Sequence, residues 1–379
     1  MIIRFKRTAI AAAATLAVSW ANATTINLID QGGVTGSAAE QGFRIAAGYW
    51  GSMFTNNAVI NLGVKFAPLA SGVIGSTGSS RTDFSVAAWE SAINGTKSGS
   101  TIDQSLVLPG LTGGGISGLT VGVNASGNND TSVTAMLDGS QTSSQMLYLN
   151  TSVVKAVGGS TAAALDGTIT FSSNFNFDFN PTDGISANTF DFIGVAIHEI
   201  GHALGFVSGV DFFDAYSFPN GPNKGTLGYD LNDTSIFSAL DMFRYSAPGT
   251  IDLRTGGTPY FSIDGGATAL FGNSFSTGRY NGDGNQASHW KDTSGCQVGN
   301  GILDPTFCFG QMGVVTGLDL AAYDAMGWNL SADALTYQNT STAAIFAAAV
   351  PEPSVWALML AGGLGVAGAA RRAKRNKSA

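Results

Sequence analysis

The chain has 379 residues, of which only 12% are charged, and this length allows one large domain or two smaller lobes. Once the two terminal segments are set aside, residues 24–350 retain 10 basic and 25 acidic residues, a formal charge of about −15. This balance argues against nucleic acid and anionic membrane surfaces as partners. It is compatible with Ca²⁺ as a cofactor, and the 51 glycines are typical of an exported, turn-rich protein.

The first 23 residues have the three parts of a signal peptide. Basic residues at positions 4–7 precede an apolar run at residues 8–20, and Ala-Asn-Ala at residues 21–23 fits a cleavage site. The alternative is an N-terminal anchor helix, for which the apolar run is short. We therefore expect the chain to be exported.

Periodicity predicts several elements before residue 190. Apolar residues at helical spacing predict a helix at residues 42–54, and a short helix is expected at residues 84–92. Alternating apolar residues predict three strands, at residues 58–66, 146–150 and 168–176. Gly- and Ser-rich composition predicts a loop at residues 71–80 and a loop or edge strand at residues 97–134.

A strongly apolar helix is predicted from Asp191 to about Gly205. Within it, His198 and His202 are four positions apart and therefore share one helix face, where both imidazoles can bind one metal ion. Glu199 lies beside them, so the three residues form the H-E-x-x-H pattern of zinc peptidases. The alternative is an ordinary core helix, which would bury Glu199 without a partner.

A catalytic zinc ion needs a third protein ligand and one open position. The chain has three histidines, so His289 is the main candidate for the third ligand. A downstream glutamate is an unsuitable ligand, because the only one after His202 is Glu352, in the C-terminal tail. Asp211 is the weaker alternative to His289.

The sequence His-Glu-Ile-Gly-His-Ala-Leu-Gly-Phe at residues 198–206 is similar to that of the leishmanolysin-like metzincins, which carry a long insertion before the third histidine. Here 87 positions separate His202 from His289. The resemblance implies a two-lobed α+β zinc peptidase domain at residues 24–330. The upper lobe, to about residue 205, would contain a twisted, mixed but mostly parallel sheet with helices above the cleft. The lower lobe, from about residue 206, would be mostly irregular.

The family also has a methionine-containing turn after the third ligand. In this chain Leu303 occupies that position, within Gly-Ile-Leu-Asp-Pro at residues 301–305, as an apolar replacement. Cys296 and Cys308 are twelve positions apart, and in an exported chain they are expected to form a disulfide, which would brace this turn.

Fewer elements are predicted in the remaining downstream chain. Short strands are expected at residues 242–245 and 260–263, and a helix at residues 318–326. Residues 281–285 read Asn-Gly-Asp-Gly-Asn, which resembles a Ca²⁺ loop in composition, with a solvated turn as the alternative. Residues 331–349 are expected to be a linker.

The C-terminal segment, residues 350–379, resembles the PEP-CTERM sorting signal. It contains Pro-Glu-Pro, an apolar stretch at residues 354–370 and a closing basic cluster. The resemblance implies transient membrane attachment through a helix at residues 354–370, processing by an exosortase-type enzyme, and a final location in the cell envelope or outside the cell. A plain C-terminal anchor helix is the alternative.

Together these features predict a secreted zinc-dependent endopeptidase that acts on proteins or peptides. His198, His202 and His289 would bind zinc, and Glu199 would be the general base that accepts a proton from the attacking water. The substrate would pair with an edge strand. Tyr245 and Tyr280 are candidate donors to the oxyanion, with aromatic packing as their alternative. The competing function is a matrix or adhesive protein with a structural or degenerate zinc site.

Overall fold

A computed structural model describes residues 24–124, 130–226, 230–293, 295–296 and 299–350. The predicted signal peptide and the predicted membrane helix at residues 354–370 lie outside the described residues. None of the described helices is both long and apolar enough to cross a membrane.

The described residues contain helices and short strands in mixed order. The helices are α1 Ala38–Met53, α2 Val86–Thr96, α3 Thr101–Ser105, α4 Thr142–Gln145, α5 Thr151–Ala156, α6 Phe192–Ala203, α7 Val210–Tyr216, α8 Gly317–Met326 and α9 Thr342–Ala349. The strands up to α6 are β1 Thr25–Gly32, β2 Val59–Ala67, β3 Gly75–Ser79, β4 Arg81–Ser85, β5 Leu111–Thr112, β6 Gly115–Ile116, β7 Thr120–Val121, β8 Ala135–Met136, β9 Met146–Asn150, β10 Gly167–Ser172, β11 Phe177–Asp178 and β12 Phe190–Asp191. The later strands are β13 Arg244–Ala247, β14 Thr250–Ile251, β15 Tyr260–Phe261, β16 Val314–Val315 and β17 Thr340–Ser341, and short 3-10 turns lie at Pro181–Asp183, Leu240–Phe243 and Leu270–Gly272.

The largest sheet of the described residues has four strands in the order β1-β2-β10-β3. The pairs β1–β2 and β2–β10 are parallel, whereas β3 runs antiparallel to β10 at the edge of the sheet. The chain is therefore α+β with a mixed, mostly parallel sheet, as predicted. β3 has a strand on one side only among the described residues, so its other edge is open.

Helix α1 covers this sheet and supports α6. Its buried residues Phe43, Ala46, Ala47 and Trp50 recur at helical spacing, which gives α1 one continuous apolar face. The indole Nε1 of Trp50 donates to the carbonyl oxygen of Ile197 at 2.9 Å, directly before His198. Burial of such a face contributes about 25 cal/mol per Å² of apolar surface. Helix α1 thus holds α6, which carries His198 and His202, through this hydrogen bond.

One cluster of buried hydrophobic residues includes side chains from Val34 to Ile345, on both sides of α6 in the sequence. Aromatic contacts join early and late parts of the sequence. The Phe54 ring stacks on Trp328 at 4.4 Å between centroids, and the Trp50 ring meets that of Tyr323 edge-on at 4.7 Å. Helix α8 is therefore packed against α1. A division into lobes near residue 205 stays a prediction.

Several segments differ from the sequence expectation. Residues 84–85, expected to be helical, belong to β4, residues 101–105 form α3 within the expected loop or edge strand, and residues 242–243 lie in a 3-10 turn rather than a strand. Residues 75–79 form strand β3, although Gly and Ser suggested a loop, because backbone pairing with β10 does not require β-branched side chains at an edge. The segment assigned to a linker contains β17 and α9: Thr342 is buried and donates to Asp191 Oδ2 at 2.5 Å, and Ile345 is also buried. The alanine-rich sequence of α9 favours a helix and offers an apolar face for packing.

Candidate metal centre

Helix α6 carries two of the candidate ligands. Its N-terminus is capped by an aspartate, and its C-terminus is followed by a glycine. Asp191 caps its N-terminus, with its carboxylate accepting from the Gly194 N–H at 3.0 Å and from the Gly313 N–H at 2.9 Å. All twelve residues of α6 are buried. The helix ends before Gly205, whose φ of 123° favours glycine and whose missing Cβ lets Val153 approach closely.

The three histidines of the chain meet at one point. Nε2 of His202 lies 3.0 Å from Nε2 of His198 and 3.2 Å from Nε2 of His289, and the third side of the triangle is 3.3 Å. Among the described residues, they form the one group of three or more His, Cys, Asp or Glu close enough to share a metal ion. The structure thus brings together the residues that the sequence singled out, 87 positions apart.

The hydrogen bonds of the Nδ1 atoms determine which nitrogen of each imidazole ring carries the proton. Nδ1 of His198 is 2.8 Å from the Ile302 carbonyl oxygen, and Nδ1 of His202 is 2.6 Å from that of Phe206. Nδ1 of His289 is 3.2 Å from the carbonyl oxygen of Gln286. Because a carbonyl only accepts, each Nδ1 must donate, and each neutral ring therefore directs an unprotonated Nε2 at the other two.

Burial keeps these rings neutral. It lowers the pKa of His198 to about 4 and that of His202 to about 3, and it holds the pKa of His289 well below the ordinary value. Three lone pairs that converge without a proton repel one another unless a cation lies between them. Ligands 2.0–2.1 Å from a tetrahedral zinc ion are about 3.3 Å apart, so the observed triangle fits this ion.

Glu199 lies beside the triangle and is buried, with 5% of its surface exposed. Its Oε2 accepts a hydrogen bond from the Thr77 hydroxyl at 2.7 Å. Burial raises the pKa of this carboxyl to about 7, and the bond from Thr77 acts in the opposite direction. Such a group can take up and release a proton near neutral pH.

Asp211 holds the loop that carries His289. Its carboxylate accepts from the Ala287 N–H at 2.6 Å and the Ser288 N–H at 3.2 Å, and it also accepts from the Ser288 hydroxyl. These donors engage both oxygens. Asp211 therefore binds the residues that precede His289, and its carboxylate is not part of the group formed by the three histidines.

Arg244 supports the same loop and was not found from the sequence. It is fully buried, and its Nη1 donates to the Ala287 carbonyl oxygen at 3.0 Å while Nη2 donates to that of Ser276 at 3.0 Å. Its guanidinium lies 4.6 Å from the centroid of the Phe275 ring. An arginine in a turn-rich segment gives no sequence signal of such a role.

Asp319 organises the turn beneath the histidines. Its Oδ2 accepts from the Ile302 N–H at 2.9 Å and the Thr316 N–H at 2.8 Å, and Oδ1 accepts from the Trp290 indole at 2.9 Å. Leu303 is fully buried and lies against Gly201 of α6. Its equivalence to a methionine-containing turn stays a prediction. The expected disulfide between Cys296 and Cys308 is confirmed and closes the loop that contains this turn.

The histidines and Glu199 lie in a cleft of about 630 Å³. Its lining includes residues of β3 and of the segment before it, together with Asp211, Tyr280, Pro305 and Phe307. Tyr280 is 41% exposed at this cleft. Tyr245 is buried in the hydrophobic core, and it is not among the described residues that line the cleft, so core packing accounts for it.

In the segment that resembled a Ca²⁺ loop, the aspartate is paired with residues that flank the segment. Asp283 Oδ2 accepts from Lys291 Nζ at 2.6 Å, and Oδ1 accepts from the Thr277 N–H at 3.1 Å. A calcium site in this segment, with a solvated turn as the alternative, stays a prediction. Calcium at another position stays a prediction.

Comparison with known proteins identifies the C-terminal segment. Residues 349–375 match the PEP-CTERM protein-sorting motif. This motif indicates recognition by an exosortase-type processing enzyme and export to the cell envelope or surface. No curated protein and no solved structure matches the chain. Because the matched segment does not include the histidines, the resemblance to leishmanolysin-like metzincins stays a prediction from residues 198–206.

Proposed function

We propose that this chain is an exported zinc-dependent endopeptidase of the metzincin type, acting on protein or peptide substrates. One observation carries the proposal: three unprotonated Nε2 atoms converge beside a buried carboxylate at the floor of an open cleft. His198, His202 and His289 would hold the ion, and their carbonyl-bound Nδ1 atoms would keep the rings oriented. When bound, zinc supplies a Lewis acid that polarises the scissile carbonyl and acidifies water.

Glu199 is proposed as the general base. It would accept a proton from the water whose oxygen bonds to the carbonyl carbon, and it would then deliver that proton to the amine nitrogen as the C–N bond breaks. Burial raises the pKa of this carboxyl, which favours its uptake of the proton from water. A structural zinc site would not require a carboxylate at this position.

The open edge of β3 is proposed to bind the substrate backbone. Gly75, Ser76 and Thr77 line the cleft, and an extended peptide could add to this edge as a further strand. Val195, Pro305 and Phe307 line another part of the cleft, with Phe307 edge-on to His198 at 6.5 Å between ring centroids. This apolar surface suits a hydrophobic substrate side chain.

A matrix or adhesive protein with a structural or degenerate zinc site is the competing function. The Gly- and Ser-rich composition of this chain and its sorting motif would suit a matrix or adhesive protein. Structural zinc sites normally have four protein ligands, whereas the described residues offer three and an adjoining cleft. The ligand count and the retained Glu199 therefore favour the enzyme.

The test compares the wild-type protein with Glu199→Gln for zinc content and digestion of casein. The wild type should bind one zinc ion per chain and digest casein, and a chelator should abolish digestion until zinc is restored. The variant should keep zinc and lose about 10²–10⁴-fold in turnover. A zinc-loaded wild type that cleaves no protein would favour the adhesive function instead.

A further inference from the structure

Strand β3 contacts α6 through alternate residues. Side chains at positions 75, 77 and 79 lie on the same face of the strand, because successive residues point to opposite sides. Ser79 Oγ donates to the His202 carbonyl oxygen at 3.3 Å, and Thr77 Oγ1 is 2.8 Å from the carbonyl oxygen of Glu199. This edge strand therefore follows the part of α6 that carries the reactive residues.

The Thr77 hydroxyl also reaches the carboxylate of Glu199. Oγ1 lies 2.7 Å from Oε2, so the single hydroxyl proton has two acceptors, both on Glu199. A carboxylate fixed through one oxygen loses rotational freedom about its terminal torsion, which is otherwise broad. Its other oxygen, Oε1, does not share this bond.

Gly75 provides a second constraint on the same carboxylate. A Cβ atom at this position would lie 2.4 Å from Oε1 and 3.0 Å from Cδ of Glu199, closer than such atoms can approach. The carboxylate thus rests against bare backbone at Gly75. Gly78 lies in the same strand, and a Cβ there would meet nothing within 4 Å.

From these contacts we infer that β3 positions the general base, with Thr77 and Gly75 as positioning residues for Glu199. Thr77 holds Oε2, and Gly75 leaves the space that Oε1 occupies beside the cleft. This inference rests on the proposed function for its kinetic consequences. Its geometric content, the position of the carboxylate, is independent of turnover.

Two pairs of variants in the full-length protein test this inference. Thr77→Val removes the hydroxyl at nearly constant volume, and Thr77→Ser retains it. Gly75→Ala adds a methyl group against Glu199, and Gly78→Ala adds the same group to open space. Because Glu199 Oε1 is the end of a flexible side chain, Gly75→Ala should move the carboxylate without unfolding the protein.

We expect kcat to fall about 10-fold or more in Thr77→Val and about 10²-fold in Gly75→Ala, since small displacements of a catalytic group cost this much. KM, zinc content and thermal midpoint should stay close to wild type. Thr77→Ser and Gly78→Ala should retain kcat within about 3-fold. Equal kcat in Thr77→Val and Thr77→Ser would overturn the role of Thr77, and a changed KM alone would indicate steric exclusion of substrate.

Crystal structures separate this inference from the proposed function. Zinc-loaded Gly75→Ala should have its Glu199 carboxylate displaced from the wild-type position, whereas Gly78→Ala should not. An inactive wild type with this displacement in Gly75→Ala would defeat the peptidase proposal and leave the positioning intact. An unmoved carboxylate in Gly75→Ala would defeat the positioning, whatever the activity.

Discussion

The indole Nε1 of Trp290 donates to Oδ1 of Asp319 over 2.9 Å, which joins the residue after His289 to the first turn of α8. The other oxygen of Asp319 accepts from the backbone of Ile302, whose own carbonyl accepts from His198. Two of the three candidate ligands are therefore connected through one buried carboxylate. Asp319 thus links the stability of the fold to the geometry of the metal centre.

Replacing Asp319 by alanine should destabilise the protein strongly. Donors from Trp290, Ile302, Leu303 and Thr316 would lose their acceptor in a fully buried region. Each unsatisfied buried donor costs about 1–3 kcal/mol, so we expect a loss of at least about 3 kcal/mol in the free energy of unfolding. Urea denaturation measures this, and a loss below about 1 kcal/mol would contradict the proposed linkage.

Replacing another aspartate of α8, Asp324, should stabilise the protein at high pH, whereas replacing Asp319 destabilises it. Asp324 is buried, its Oδ1 has no hydrogen-bond donor, and Ser100 donates to its Oδ2 at 2.7 Å. Burial raises its pKa to about 7, with nearby Asp103 and Asp333 acting in the same direction. The folded state therefore binds the proton more tightly than the unfolded state, and stability contributed by this group is lost as the pH rises from about 4 to about 7.

Asp324→Asn should remove this pH dependence. The variant keeps an acceptor for Ser100 but cannot ionise, so it should be more stable than the wild type at pH 8 and similar to it near pH 4. The difference should not exceed about 4 kcal/mol, the free energy of a shift of about three pKa units. Thermal midpoints measured across this range would reveal it, and parallel curves for the two proteins would refute it.

The sequence predicted α6 and the candidate ligands because the apolar helical pattern and the pair His198 and His202 are local features, and His289 is the one remaining histidine of the chain. Helical spacing and the scarcity of histidine led directly to His198, His202 and His289. By contrast, β3 resembled a loop, because its side chains are small and its order comes from backbone pairing with β10. The contact between Thr77 and Glu199 spans 122 positions and follows from that pairing, so composition gave no sign of it.

The supports behind His289 were also inaccessible to sequence reasoning. Asp211 was weighed as a ligand because its residue type and distance from His202 allow it. Its actual partners are backbone N–H groups of Ala287 and Ser288, which every sequence contains and which no motif marks. Tertiary structure alone distinguishes a carboxylate that binds a loop from one that could bind a metal ion.

Zinc content should distinguish these two roles. His289→Ala removes one of three converging nitrogens and should abolish stoichiometric zinc at submicromolar concentrations. Asp211→Ala should weaken zinc binding by about 10–100-fold, as is common for residues that orient a ligand. Gln286→Ala is the matched control, because the hydrogen bond from His289 goes to the backbone carbonyl of Gln286, which this substitution keeps. Full zinc in His289→Ala would reject this histidine as a ligand, and lost zinc in Asp211→Ala equal to that in His289→Ala would reassign Asp211.

The disulfide between Cys296 and Cys308 should stabilise both the fold and the metal centre. It closes a loop of twelve positions that contains Ile302, the residue whose carbonyl accepts from His198, and Phe307, which lines the cleft. Closing a loop of this length restricts the unfolded chain and contributes roughly 3 kcal/mol.

We therefore expect the double variant Cys296→Ser with Cys308→Ser to lose about 3 kcal/mol in unfolding free energy. Its zinc affinity should also decline, because the turn that orients His198 is less restrained, while Glu199 and its contact with Thr77 lie outside the loop and should be unaffected. Urea denaturation with zinc present and absent separates the two effects. An unchanged zinc affinity in a destabilised variant would show that the hydrogen bonds to this turn, including those to Asp319, hold it without the disulfide.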